Sequence, residues 1–162
     1  VYPRLLAPAS HEAVLQRVLS CARDMNLKVL YCTVYPTSPD SFPNEDPLWV
    51  LSRCLRQFSD VPVMLMHGGG HRLLAYAEHF RYFPNVYLDL SFTLTRYWSA
   101  SVKSDIHYLT KYFDQRICLG SDLPDVLKTE WLNRLHDLRE LCDEDTWKRI
   151  SADNALCFVY SS

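Results

Sequence analysis

Short apolar segments rich in β-branched and aromatic residues alternate along this chain with longer segments in which apolar residues recur at helical spacing. Short apolar runs of this composition predict strands, because such side chains suit a buried pleated surface. Val1 and Tyr2 form a short segment of the same kind, which predicts a strand stub. The four full predicted strands are Lys28–Thr33, Pro62–His67, Val86–Ser91 and Ile117–Asp122.

The stretches around and after these strands carry apolar stripes typical of helices. Ser10 is a predicted N-cap before the first stripe, and Pro47 suits the first position of the next helix. Two further stripes begin at Leu73 and Ile106. The last long helix is predicted over Trp131–Leu141, and a short helical pair follows over 145–158.

Strands that alternate with helices at this interval indicate βα units and a parallel sheet, in which right-handed crossovers place successive strands side by side. A complete (β/α)8 barrel needs about 250 residues, and the chain has 162. We therefore predict one α/β domain over residues 1–162, with four parallel strands plus a stub, which is too short to close a whole barrel. Because the chain begins at Val1, we expect further sequence upstream. The segment 36–47 is predicted to be a long loop at the barrel rim.

Composition narrows the range of partners. The net charge is −2, with 17 basic residues scattered among 19 acidic ones, so no basic stripe favours nucleic acid or a membrane surface. No apolar run approaches the roughly 20 residues that span a bilayer, and no signal peptide is visible. The six cysteines form no C-x-x-C pair, which favours reduced thiols and a cytoplasmic protein.

Two strand ends carry chemically capable side chains. One strand ends in His67-Gly68-Gly69-Gly70, and another in Gly120-Ser121-Asp122. If both point into a barrel, His67 and Asp122 converge at its catalytic rim, where they suit proton transfer or metal ligation. The alternatives are that His67 closes a glycine turn by bonding to backbone, and that Asp122 caps the following segment.

Two-residue alternation assigns the strand faces. It groups Val63 and Leu65 with His67, and Cys118 with Asp122. The predicted lumen face therefore includes Val63, Leu65, Leu30 and Cys118. Asp89 alternates with Tyr87 and Ser91 on the same predicted face, opposite Val86, Leu88 and Leu90, and we predict that it is a buried, hydrogen-bonded acid.

Four motifs, in order, resemble one enzyme family. The segments 61–69, 84–91 and 116–124 are similar to the sixth, seventh and eighth strands of metal-dependent amidohydrolases related to aminocarboxymuconate-semialdehyde decarboxylase, and Asp153-Asn154-Ala155 resembles their closing helix. The resemblance covers residues 28–158 and implies the C-terminal half of a (β/α)8 TIM barrel, with βα units from the fourth or fifth to the eighth. It implies a hydrolase or decarboxylase that acts on a small molecule through metal-activated water, with zinc the expected metal. His67 would then move protons or polarise the substrate, and Asp122 would bind the metal and orient the water.

Two departures from that family pattern concern the metal. The first-strand His-x-His pair does not occur in the 162 residues, and Cys32 stands where the fifth strand normally ends in a histidine. A thiolate can bind zinc, so Cys32 is either a substitute ligand or a small buried side chain. Because catalytic zinc generally takes three protein ligands plus water, we expect no bound metal on this chain alone. A metal-free nucleophile system of Cys32, His67 and Asp122 is a further hypothesis.

The substrate-binding candidates are Gly68, Gly69, Tyr35, Ser91 and Trp98. The glycine amides would face an anionic group, and the aromatic side chains would line a pocket. The alternatives are a close-packed turn and packing against a missing half barrel. Open strand edges and an uncovered lumen face predict a homo-oligomer or a complex with a separate N-terminal half. The alternative function is a truncated, catalytically silent binding or assembly module.

Overall fold

A computed structural model describes residues 1–3, 10–34 and 45–160, in which strands alternate with helices. The strands form one parallel sheet in which consecutive strands are neighbours. This order is what right-handed βα units require, and it confirms the predicted α/β architecture. The strands are β1 (Val29–Cys32), β2 (Val63–Met66), β3 (Val86–Asp89) and β4 (Ile117–Cys118).

Eight α-helices lie within the described residues. They are α1 (His11–Asp24), α2 (Pro47–Gln57), α3 (Leu73–Phe80), α4 (Thr93–Arg96), α5 (Val102–Tyr112), α6 (Lys128–Arg139), α7 (Glu144–Lys148) and α8 (Asn154–Tyr160). A 3₁₀ segment, His67–Arg72, joins β2 to α3, and a π-helical turn, Arg149–Asp153, joins α7 to α8. Pro47 is the first residue of α2, as predicted, and the Asp46 carboxylate caps that helix by accepting from the Leu48 N–H at 3.0 Å.

The predicted strand stub lies beside β1. The amino group of Val1 donates to the carbonyl of Leu30 at 2.6 Å, and the N–H of Cys32 donates to the carbonyl of Val1 at 2.9 Å. Bonds to residues on either side of Tyr31 are the pattern of two parallel neighbouring strands. The full strands are shorter than predicted, since β2 ends at Met66 and β4 at Cys118.

The two faces of the sheet have different environments. Tyr31, Leu65 and Leu88 are almost fully buried in the main apolar core, which also includes side chains of the surrounding helices. On the opposite face, Leu30 pairs in register with Met64, and Met64 with Tyr87. Leu30 on that face is 51% exposed. We call this second surface the open face.

The predicted lumen face was wrong in part. Val63 and Leu65 are 1% and 0% exposed in the main core, on the face opposite Leu30 and Met64. Cys118 does lie on the open face, since it pairs with Asp89 and packs with Met64. Alternation determines the period of a strand but not its phase. The predicted face of β2 depends on counting back from His67, and His67 lies beyond the end of the strand.

All six cysteines are free thiols. Cys54 and Cys118 are buried, and burial raises the pKa of Cys54 to about 11 and of Cys118 to about 12. Both therefore stay protonated at neutral pH. In the described part of the chain, the helices are too short or too polar to cross a bilayer.

A buried histidine joins α1 to β1. His11 is 5% exposed, and its Nε2 lies 2.7 Å from the Tyr31 hydroxyl. Burial lowers the pKa of His11, and the nearby charge of Glu12 only partly offsets this. The unfolded chain therefore takes up this proton first as the pH falls below about 6.5. The free energy of unfolding therefore decreases as the pH falls from that value through the lower pKa that His11 has in the folded protein.

We expect the free energy of unfolding to fall between about pH 7 and about pH 5. His11→Gln should remove the part of that fall that His11 causes, because glutamine keeps a polar group near Tyr31 but does not titrate. Urea unfolding of both proteins across this range measures the difference in slope, in which the other histidines cancel. Equal slopes would show that His11 does not contribute.

Candidate active site

The chain leaves the sheet abruptly after β2. His67 has a φ of 67°, and the three glycines after it have φ values of 54°, 88° and 61°. Residues that carry a side chain rarely adopt this left-handed backbone region, whereas glycine adopts it freely. Four such residues in succession turn the chain out of the strand, so His67 does not continue the alternation of β2.

Thr33, which follows β1, ties this turn to the end of the neighbouring strand. Its hydroxyl donates to the Met66 carbonyl at 2.6 Å and accepts from the Gly69 N–H at 2.7 Å. The Gly69 amide, expected from the sequence to face a substrate, is therefore already hydrogen-bonded within the protein. Sequence reasoning missed Thr33, because nothing local distinguishes it from other polar residues at a strand end.

Asp89, at the end of β3, is the centre of a buried hydrogen-bond network. It is 2% exposed and accepts from the Ser91 N–H at 3.1 Å, the His67 N–H at 3.4 Å and the Ser91 hydroxyl. Burial raises the pKa of Asp89, and the hydrogen bonds from Ser91 and His67 oppose that shift. This confirms the predicted buried, hydrogen-bonded acid. The Asp-x-Ser spacing of an Asx turn is the local signal for its bonds to Ser91.

The His67 ring is held by the residues that follow β3. Its Nδ1 lies 3.2 Å from the Ser91 carbonyl oxygen and 3.1 Å from the Ser91 hydroxyl. Phe92 packs edge-on against the ring, with centroids 5.8 Å apart, and the Thr93 hydroxyl donates to the His67 carbonyl at 2.6 Å. The ring therefore bonds to backbone, as the structural alternative predicted, and also to a side chain.

Cys32 and Asp122 both act on the His67 imidazole. Burial lowers the pKa of His67, but a hydrogen bond with Cys32, the charges of Cys32 and Asp122 and the contact with the Ser91 backbone together raise it above its ordinary value. Cys32 thus contacts the His67 ring, and the charge of Asp122 reaches it. Cys32 is 4% exposed, whereas Asp122 is half-buried.

Asp122 does not cap a helix in the way the alternative predicted. Helix α6 begins at Lys128, with Leu127 at its N-cap position. Asp122 has a φ of 58°, and its backbone carbonyl accepts from the Val126 N–H at 3.2 Å. Its backbone therefore forms a turn beyond the end of β4.

The two aromatic candidates for substrate binding are Trp98, which lies in the main core, and Tyr35, which lies outside the described residues. Trp98 is 6% exposed within the main core, with the cationic groups of Lys103 and Arg134 lying 5.1 and 5.8 Å from its ring centroid. These are the contacts of a packing residue. Tyr35 and most of the predicted long loop lie outside the described residues.

A metal site needs several donor side chains close together. Within residues 1–3, 10–34 and 45–160, no three or more His, Cys, Asp or Glu side chains are grouped so that they could hold a metal ion. Catalytic zinc generally takes three protein ligands. The residues present here therefore do not form a zinc site by themselves.

A family model described as amidohydrolase matches residues 6–158. The chain belongs to the amidohydrolase family. This confirms the resemblance that the strand-end motifs carry. No curated protein matches this amidohydrolase chain.

Two solved proteins share the fold of this amidohydrolase chain. An uncharacterised TIM-barrel protein from Bordetella bronchiseptica superposes with a TM-score of 0.73 at 19% identity, over 90% of this chain and 50% of that one. An amidohydrolase from Burkholderia multivorans, solved with bound HEPES and also with bound zinc, gives 0.65 at 15% identity, over 98% of this chain and 63% of that one. The chain thus spans half to nearly two thirds of these barrel proteins, which confirms the predicted partial barrel.

Proposed function

We propose that this chain supplies the C-terminal part of the catalytic rim of an amidohydrolase-type hydrolase or decarboxylase that acts on a small molecule. The position of Cys32, His67 and Asp122 at one edge of the sheet carries the proposal. These residues follow or end three different strands of the parallel sheet, at its carboxyl edge. That edge carries the chemistry in TIM-barrel enzymes.

His67 is the proposed proton-transfer residue. Burial lowers the pKa of His67, but the hydrogen bond with Cys32 and the nearby charges of Cys32 and Asp122 outweigh burial and raise it, which favours a ring that carries a proton to the substrate. It would protonate the leaving group or stabilise negative charge that develops on the substrate. Asp122, with its half-buried carboxylate, would accept the proton of an attacking water.

Asp122 is also the proposed metal ligand of a completed site, with Cys32 as a possible second ligand. The donors grouped in the described residues are too few for zinc. Metal activation of the water would therefore need ligands from beyond those residues, and no step above depends on a metal.

The first test compares two variants of the chain completed by its N-terminal half. We expect Asp122→Asn to lower the rate of hydrolysis or decarboxylation at least about 100-fold, because an amide accepts no proton from water. Cys32→Ser should cost less than about tenfold, since a hydroxyl still hydrogen-bonds the imidazole. Turnover of a panel of lactones, amides and carboxylic acids supplies the assay.

Comparable losses in the two variants would mean that the roles are misassigned and would favour Cys32 as a nucleophile. No turnover of any compound by the wild-type chain, even when it is completed by an N-terminal half, would favour the catalytically silent binding or assembly module.

Metal content provides a second test. We expect less than one tightly held zinc per chain in protein that has been stripped with chelator, reloaded and desalted. One zinc per chain, lost in both Asp122→Ala and Cys32→Ser, would contradict this and would make both residues ligands. Elemental analysis of the three proteins distinguishes the outcomes.

The open face supports an assembly proposal. Leu30 is half exposed on the edge strand, and Met66 and Tyr87 are only partly covered on the same face. A groove of about 550 Å³ beside β1 continues this apolar surface, and its lining includes Val14, Val18, Ala22, Leu27 and Leu30. Parallel sheets are normally covered on both faces. We therefore propose that a second copy or a complementary half barrel covers this surface.

We expect the chain alone to associate at micromolar concentration, as measured by light scattering. Leu30→Glu should shift it toward the monomer, because a charge on the open face opposes burial. Tyr82→Glu is the matched control, since Tyr82 is 86% exposed outside the sheet. A wild-type monomer of 18.9 kDa would contradict the proposal.

A further inference from the structure

We propose that Asp89 and Ser91 are positioning residues that hold His67 in the Nδ1–H tautomer and leave Nε2 for the chemistry. The catalytic importance of this arrangement rests on the function proposed above. The tautomer itself does not, because it follows from the hydrogen-bond partners of one ring nitrogen.

A backbone carbonyl faces Nδ1 of His67. The Ser91 carbonyl oxygen lies 3.2 Å from Nδ1, and a carbonyl oxygen can only accept. Nδ1 must therefore carry a hydrogen for this contact to be favourable. An unprotonated Nδ1 would place two lone pairs against each other inside the protein, where water does not compensate.

The Ser91 hydroxyl oxygen lies 3.1 Å from the same nitrogen. A hydroxyl has one hydrogen, and Ser91 uses it to bond the Asp89 carboxylate. Its oxygen is thereby turned to accept from Nδ1–H. The chain of donors runs from His67 through Ser91 to Asp89, and each member directs the next.

The Asp89 carboxylate is held on several sides. Both of its oxygens accept backbone N–H groups, from Ser91 on one side and His67 on the other. Gly120 leaves no free space on the third side, since a Cβ there would lie 2.5 Å from Asp89 Oδ1. The carboxylate therefore cannot rotate away from Ser91 without losing buried hydrogen bonds.

The consequence lies at the other ring nitrogen. With Nδ1 committed to Ser91, the hydrogen bond with Cys32 falls to Nε2. Nε2 is therefore the nitrogen that can exchange a proton, with the Cys32 thiol or with a reacting group. A buried acceptor that fixes one histidine nitrogen is a general way of preparing the other for catalysis. Thr93 and Phe92 hold the residue in place but do not act on the choice of tautomer.

Nitrogen NMR of histidine-labelled protein tests the proposal, because protonated and unprotonated ring nitrogens resonate far apart. The His67 signals are assigned by their loss in His67→Gln, and spectra are taken above the pKa of the ring. We expect the Nδ1–H form to dominate in the wild type. Asp89→Asn should shift the population toward Nε2–H, because an amide N–H facing Ser91 frees the hydroxyl hydrogen for Nδ1.

Thr93→Val is the matched control, since it removes a buried hydroxyl that bonds the His67 backbone and not its ring. We expect its tautomer ratio to equal that of the wild type. If Asp89→Asn does not fold cooperatively, Ser91→Ala takes its place and should lower the Nδ1–H fraction.

A dominant Nε2–H form in the wild type would overturn the proposal. So would an unchanged ratio in the folded Asp89→Asn protein or, where that variant does not fold, in Ser91→Ala. If the tautomer behaves as expected but no compound is turned over, the positioning holds and only the proposed function fails.

Discussion

Replacing Gly69 with alanine is expected to lower the free energy of unfolding by about 3 to 5 kcal/mol. Gly69 has a φ of 88°, and an added Cβ would lie less than 3.0 Å from three ring atoms of Tyr76. The backbone strain costs about 1 to 2 kcal/mol. The remainder comes from overpacking, because Tyr76 is 1% exposed and its ring has no free space to enter.

Urea unfolding of Gly69→Ala beside Gly68→Ala separates the two contributions. Gly68 shares the left-handed backbone, but its added Cβ would meet the end of the Leu73 side chain at 2.9 Å and, less closely, the Asp89 carbonyl oxygen at 3.3 Å. A methyl at the end of a flexible side chain moves more easily than an aromatic ring. We expect Gly68→Ala to lose clearly less stability. Equal losses would show that backbone strain alone decides, and that the Tyr76 contact is relieved at no cost.

Gly120→Ala is expected to be nearly as damaging, by about 2 to 4 kcal/mol, without any positive φ. Its Cβ would lie 2.5 Å from Asp89 Oδ1 and 3.0 Å from the Ser91 Cβ. Displacing the Asp89 carboxylate would leave buried donors unpaired, at a cost of about 1 to 3 kcal/mol each. The change should therefore disturb the network around His67 as well as the stability.

A double-mutant cycle with Asp89→Ala isolates the contact. Each single change should be strongly destabilising, but Gly120→Ala should cost less once the carboxylate is gone. Unfolding free energies of the four proteins give the coupling. An additive result would mean that Gly120 and Asp89 do not constrain each other, and that the glycine is needed for another reason.

Much of this fold could be predicted from local patterns. The alternation of strands and helices, the strand order and the start of α2 at Pro47 follow from signals that lie within a few residues of one another. The period of apolar positions and the fixed φ of proline act at that range. Right-handed crossovers then determine the sheet order. The strand-end motifs are equally local, and they carry the resemblance to the family that the family model confirms.

The face of each strand could be predicted only where its boundary was right. The assignment holds for Asp89, which lies on the open side of β3, opposite the main core. It fails for Val63 and Leu65, because the phase was counted from His67. Its left-handed backbone breaks the alternation, and that conformation is stabilised by Thr33 and Thr93, which lie far away in the chain.

By itself the sequence determined that this is part of a parallel βα barrel and that His67 and Asp122 lie at the ends of its strands, since periodicity, turn residues and motif order act over short distances. Only the tertiary structure decided the partners of these residues. The ring of His67 bonds to Ser91, 24 positions away, whereas Trp98 packs into the core. Such contacts depend on how strands and loops pack in three dimensions, and no spacing along the chain encodes that packing.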